Sequence, residues 1–259
     1  MGRIFWLLCA LLFLSACSSS PKPGAEDEDL VNGKDIRGFE HMISALSHNV
    51  NEIWGREALF AGKFDYVKYT DQYKSRAHVD FSSGHIMVET VSGLDPRAHL
   101  RRAIIETLLT PNDPAEVDLY SDREIMPGGE PFLYGQVLDN QGQAIRSSWR
   151  AERYADYLLG SAMKKRTLGI RTIFFVVIPM VANHEDKRGY KYASIIRDAS
   201  RKYGVAESLI YAVIKTESSF NPYAVSHANA YGLMQVIPAT AGRDVYVRVK
   251  GKSGQRTRE

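Results

Sequence analysis

The stretch from Gly204 to Gly242 reads GVAESLIYAVIKTESSFNPYAVSHANAYGLMQVIPATAG, and its first half has a helical period. Leu209, Ile210, Val213 and Ile214 recur at spacings of three and four and make one apolar stripe. Glu217 lies four residues after Val213 and three after Ile214, so it continues that stripe as the helix runs out toward Asn221-Pro222. A carboxyl group projecting from an apolar wall loses hydration, which disfavours its charged form. The pattern therefore predicts an acid that holds a proton near neutral pH, as a general acid acting on a glycosidic oxygen must. Asn221-Pro222 stops the helix, residues 226–229 have polar turn chemistry, and Gly232 permits close backbone approach before Leu233-Met234-Gln235 resumes an apolar run into a second helix.

Glu-Ser-Ser-Phe-Asn-Pro at 217–222, Ala224, Ser226, Ala230, Gly-Leu-Met-Gln at 232–235 and Pro-Ala-Thr-Ala at 238–241 together resemble the catalytic core of the lytic transglycosylases of the soluble and goose-lysozyme-related type. About a dozen identities at fixed offsets make the match far more specific than a short motif. The resemblance implies that Glu217 is the single catalytic acid and base. It cleaves the β-1,4 bond between N-acetylmuramic acid and N-acetylglucosamine in peptidoglycan, and the muramoyl C6 hydroxyl closes on C1 to leave a 1,6-anhydro end. It further implies that Ser226 and Gln235 hydrogen-bond the glycan strand and that Met234 and Tyr231 shape the subsite walls. Structural readings stand beside these: Glu217 as a surface charge at a helix end, Gln235 satisfying a buried backbone group, Ser218 supporting the backbone, Gly232 serving close packing.

A hydrolytic glycosidase with paired carboxylates is poorly supported. Such enzymes flank the bond with two acids, whereas the acids after Glu217 are Asp244 and Glu259, neither in an apolar pattern. Glu207 is ten residues back on the same helix, roughly 15 Å away. An intramolecular nucleophile removes the need for a second carboxylate. A lysozyme-like hydrolase and a non-catalytic peptidoglycan-binding lipoprotein remain the competing readings.

At the other end, Arg3 precedes an apolar run over residues 4–14, too short for a spanning helix and read as a signal peptide over residues 1–16. Leu14-Ser15-Ala16-Cys17 resembles a bacterial lipobox, which implies acylation of Cys17 and a lipid anchor; Ser18 after it points, by the same resemblance, to the outer membrane, facing the periplasm. Residues 17–29 are a polar, acidic tether with Pro and Gly and nothing to bury. Cys9 leaves with the signal, so no disulfide or cysteine metal site is expected.

The rest has an ordinary globular composition, 44% hydrophobic and 24% charged in 259 residues, and the formal charge of +3 argues against a nucleic-acid partner while suiting an anionic wall polymer. An accessory domain is expected over residues 30–183, resembling by position the N-terminal domain of the membrane-bound lytic murein transglycosylase C group. Phe39, Met42, Ile43, Leu46, Val50, Ile53 and Trp54 predict a helix ending at Gly55, and residues 77–91 a hairpin turning at Ser82-Ser83-Gly84. Asp95-Pro96 opens a helix closed by Pro111. A second hairpin is expected around Asn140-Gln141-Gly142, a helix from Trp149 to Lys165, and a central strand over residues 172–181. Tyr66, Tyr69 and Tyr73 are spaced for packing or for stacking on sugars. The histidines lack close metal spacing, and neither a metal nor a cofactor is expected. Residues 184–189 read as a solvated charged linker, and residues 190–203 as a helix stopped by Gly204. The fold class is thus α+β: a mixed accessory domain, then over residues 190–259 the first part of an α-helical lysozyme-like domain. The family pattern runs on for roughly a hundred residues beyond Gly242, with a tyrosine that supports the glutamate, so the chain reads as a truncated product or fragment.

Overall fold

The computed structural model describes residues 41–238. The architecture is α+β. A first helix, α1, runs over 41–54 and turns the Leu46, Val50 and Trp54 stripe inward, while Gly55 takes a positive φ of 56° where the chain leaves it. Five strands follow in one antiparallel sheet: β1 (Asp65–Thr70), β2 (Ser75–Asp80), β3 (His85–Thr90), β4 (Lys164–Leu168) and β5 (Arg171–Pro179), in the order β1-β2-β3-β5-β4. The β2–β3 hairpin turns over residues 81–84 as the alternation predicts, and β5 lies inside the sheet.

Register decides what each face carries. Lys68 opposes Ala77, Ala77 opposes Val88, and Val88 opposes Val176, so these residues share one face with Val79, Ile86 and Ile178. Helix α2 (Pro96–Leu108) packs there through Leu100, Ala103, Ile104 and Leu108, and α3 (Ser148–Ser161) packs on α2. Asp95 caps α2, its Oδ1 accepting from the Ala98 N–H at 3.1 Å. The opposite face presents Tyr69, Arg76 and Glu89 in register beneath Trp54. Arg76 pairs with the buried Glu89, whose other oxygen takes Arg166 at 2.9 Å, and the Arg76 guanidinium lies 4.0 Å over the Trp54 ring.

Three local expectations are corrected, and a fourth is decided between its two readings. Around Asn140-Gln141-Gly142 a turn does form, with Asp139 accepting from Gln141 and Gln143, but only the single Leu138–Ala144 bridge pairs its arms. Helix α3 stops at Ser161, and Lys164-Lys165 begin β4 instead, in a hairpin with β5 that turns at Gly169 with φ 57°. Of the two readings of the tyrosine spacing, packing holds for Tyr66 and Tyr69, which are buried core residues, Tyr66 against Phe132 and Tyr223. Residues 184–189 are no linker: they belong to helix α4 (His184–Tyr190), whose Arg188 is buried.

Helices α5 (Ala193–Tyr203) and α6 (Glu207–Ser218) follow, separated at Gly204 with φ 68°. They enclose a small second core of Tyr192, Ile196, Ile214 and Phe220. Tyr223, just beyond α6, belongs to the larger core of the sheet. The two parts of the chain therefore interlock at the residues that follow α6.

Candidate active site

Helix α6 delivers Glu217 to its last turn. Ser219 caps it in the left-handed region with φ 50°, and Phe220 follows at φ 60°. Consecutive non-glycine residues in this region cost about 1–3 kcal/mol each and persist only where their surroundings impose them. Here the surroundings are specific. Phe220 is fully buried against Tyr211, with ring centroids 4.6 Å apart, and stacks on Tyr192. Gly189 makes the room, since a Cβ there would lie 3.2 Å from the Phe220 ring and 2.9 Å from the Tyr211 hydroxyl. Arg188 donates through Nε to the Ser219 carbonyl at 2.6 Å and through Nη2 to its Oγ at 3.2 Å. Its Nη1 donates to Gln136 Oε1 at 2.7 Å, and the guanidinium lies 4.2 Å over Phe81. Burial pushes the Arg188 guanidinium down to about 10 and the neighbouring Tyr192 hydroxyl up to about 12.

The loop after the helix is tied to both sides. Ser218 is buried, and its hydroxyl donates to the Leu233 carbonyl at 2.8 Å or back to Ile214 at 3.0 Å, joining the helix end to the Gly-Leu-Met-Gln turn. Tyr223 donates to the Pro111 carbonyl at 2.5 Å. Gly232, with φ 70°, donates its N–H to Ala224 O at 2.9 Å. Ser226 Oγ accepts from the Ala228 and Ala230 N–H groups at 3.2 and 3.1 Å. Gln235 Nε2 donates to the Ala224 and Gly232 carbonyls at 3.2 and 3.0 Å, while its buried Oε1 has no hydrogen-bond partner. Tyr231 bridges Val225 and Val236, and Met234 is 45% exposed. The residues singled out by sequence thus lie on one loop folded back on the end of α6. A groove of about 240 Å³ between Ser226, His227, Phe60, Tyr69 and Ile43 continues beside that loop; Glu217 is not among its lining residues.

The desolvated wall expected around Glu217 is absent among the described residues. Leu209 is 57% exposed, and the Glu217 side chain is 36% exposed. Its Oε2 instead accepts from Lys63 Nζ at 2.8 Å, a cation brought from the segment before β1. Lys63 and Arg188 are neighbours of the Glu217 helix end that sequence reasoning missed. For Arg188 the available signal was its i,i+4 spacing from His184, which lies 3.2 Å away; Lys63 offered none. His78 and His99 pair with Asp65 and Asp71, and no group of metal-ligating side chains occurs among the described residues.

Residues 32–191 match the family described as membrane-bound lytic murein transglycosylase C, N-terminal domain, and residues 194–257 match the transglycosylase SLT domain. A membrane-bound lytic murein transglycosylase C from Klebsiella pneumoniae is 55% identical over 254 residues, covering 96% of this chain and 70% of that relative. The chain belongs to this family. Two further lytic murein transglycosylase C relatives, from Sodalis glossinidius and Yersinia enterocolitica, are each 53% identical over the whole chain, which spans 72% of their length. In this peptidoglycan-cleaving lytic transglycosylase family, the SLT match takes in Glu217 and the loop that carries Ser226 and Gln235. Lys63, which reaches Glu217, comes from the N-terminal match.

Proposed function

We propose that Glu217 is the acid and base of a lytic transglycosylation on murein. Its carboxyl proton passes to the oxygen of the β-1,4 bond between N-acetylmuramic acid and N-acetylglucosamine. The C1–O bond breaks with its electron pair on that oxygen and leaves an oxocarbenium-like centre at C1. The muramoyl C6 oxygen then bonds to C1, and its proton passes to the Glu217 carboxylate. The product is a 1,6-anhydromuramoyl end, and the tethered hydroxyl takes the place of a water held by a second carboxylate.

One observation carries this reading: Glu217 stands at a helix end whose backbone is fixed by Arg188, Ser218 and Phe220, while its carboxylate has a single side-chain partner, Lys63, among the described residues. A rigid backbone with a reachable carboxylate is what a single-residue acid and base requires. Ser226, whose Oγ here only accepts, keeps its hydroxyl proton for a sugar oxygen, and the unpartnered Gln235 Oε1 is an acceptor for a sugar hydroxyl or amide. Tyr231 and Met234 form the wall beside them. The relatives are named membrane-bound, and no helix among the described residues is long and apolar enough to cross a membrane. Anchoring through acylated Cys17 at the outer membrane, facing the periplasm, accounts for both; Cys17 lies outside the described residues. Loss of anhydro-ended muropeptides in Glu217→Gln tests the catalytic assignment, and radiolabelled palmitate uptake that disappears in Cys17→Ala tests the anchor.

A further inference from the structure

The position of Lys63 is built into the fold. Its turn is fastened to the loop after α6 at three backbone oxygens: the Gly62 carbonyl accepts from the Val225 N–H at 3.2 Å, and the Lys63 and Asp65 carbonyls accept from Asn221 Nδ2, each at 3.4 Å. Asn221 is fully buried, and its Oδ1 accepts from the Tyr223 N–H at 3.0 Å, which fixes the direction of its amide. The Lys63 backbone is thereby held at the site while its side chain remains able to swing. That side chain is 41% exposed, and Glu217 is its ion-pair partner. A pair this exposed is weak and screened. An ammonium 2.8 Å from Oε2 also stands where a glycosidic oxygen would have to come to take a proton from that oxygen. Lys63 must move before Glu217 can act through Oε2, and a cation leaving one carboxylate is drawn to another.

We infer that Lys63 reads the substrate: its ammonium leaves Glu217 for a carboxylate on an entering murein strand, so that an acidic strand frees the acid that cleaves it. The inference rests on the reading of Glu217 given above. Peptide stems on murein carry free carboxylates; a neutral glycan has none to offer. No covalent bond changes at Lys63, which exchanges one ion pair for another. Its role is specificity, and Glu217 remains the residue that transfers protons.

The test uses the full chain in detergent with two substrates, native murein sacculi and sacculi whose free carboxylates have been amidated. The wild-type chain cleaves native sacculi about five-fold faster, the preference an exposed ion pair can supply. Lys63→Met brings the two rates within about two-fold of each other, Lys63→Arg keeps the preference, and Glu217→Gln cleaves neither. Co-sedimentation with the same two sacculi reads the preference from binding alone. A Lys63→Met chain that keeps the wild-type preference for native sacculi, in cleavage or in binding, overturns the inference. If the wild-type chain cleaves neither substrate, the catalytic reading of Glu217 fails, and the binding ratio still decides the role of Lys63.

Discussion

The guanidinium of Arg188 donates to the backbone carbonyl of Ser219 at 2.6 Å, and so a helix of seven residues read as a solvated charge run holds the end of the helix that carries Glu217. Replacing Arg188 with Met leaves the Ser219 carbonyl and Gln136 Oε1 without their donor in a buried setting. Stability should fall by about 3 kcal/mol, measured as a lower urea midpoint, and murein cleavage should fall with it as the Ser219–Phe220 backbone relaxes.

Tyr223 anchors the loop in the other direction, with its hydroxyl on Pro111 O and its ring between Tyr66 and Phe132. Tyr223→Phe should cost about 1 kcal/mol, the net worth of one buried hydrogen bond. Tyr223→Ala should cost about 3–5 kcal/mol, because it adds a cavity. Urea unfolding of the two variants separates these contributions. Equal losses would mean that the ring packs loosely.

Ser218→Ala removes the tie between the helix end and Leu233 O. A loss of about 1 kcal/mol is expected, and the Gly-Leu-Met-Gln turn should exchange its amide hydrogens faster than in the wild-type chain. Unchanged exchange at residues 232–235 would show that the Gln235 amide bonds and the Gly232–Ala224 backbone bond hold the turn without Ser218.

One buried acid of the sheet domain leads to a pH dependence of stability that can be measured. Glu106 on α2 is buried, its Oε2 has no hydrogen-bond partner, and burial raises its carboxyl to about 7, with Glu124 adding to the rise and Arg102, Lys68 and Thr70 opposing it. Between its unfolded value near 4.5 and about 7 the folded chain binds the extra proton, so Glu106 makes stability fall as pH rises through that window and level off above it. Lys68, pushed down to about 8 by burial, acts in a separate and higher window with the opposite slope. Glu106→Gln should therefore be more stable than wild type by about 2 kcal/mol at pH 7.5 and nearly equal at pH 4.5. A difference that does not change with pH would contradict this assignment.

Much of this was legible in the sequence where a local signal and a tertiary requirement agreed. Asp95-Pro96 and the Leu100, Ala103, Ile104, Leu108 stripe gave α2, and the alternation around Ser82-Ser83-Gly84 gave the β2–β3 hairpin, because caps and periods are written into neighbouring residues. Strand β1 was hidden because it is buried on both faces, Tyr69 against Trp54 and Tyr66 against Phe132 and Tyr223, which erases alternation and leaves the tyrosines open to two readings. Residues 184–188 looked solvated since composition cannot show that Phe81, Gln136 and Ser219 surround one of their cations. At the site, the motif placed Glu217 at the end of its helix and Ser226 and Gln235 on the segment that follows. The Lys63 contact joins residues 154 positions apart, and no local pattern encodes it.

The central claim is that Glu217 both donates and recovers the proton. Purified peptidoglycan digested by the chain, beside its Glu217→Gln variant, and resolved into muropeptides by mass spectrometry tests it most directly. The account predicts 1,6-anhydro-ended fragments from the unmodified chain and none from the variant. Reducing-ended fragments, or anhydro ends that persist in Glu217→Gln, would contradict it.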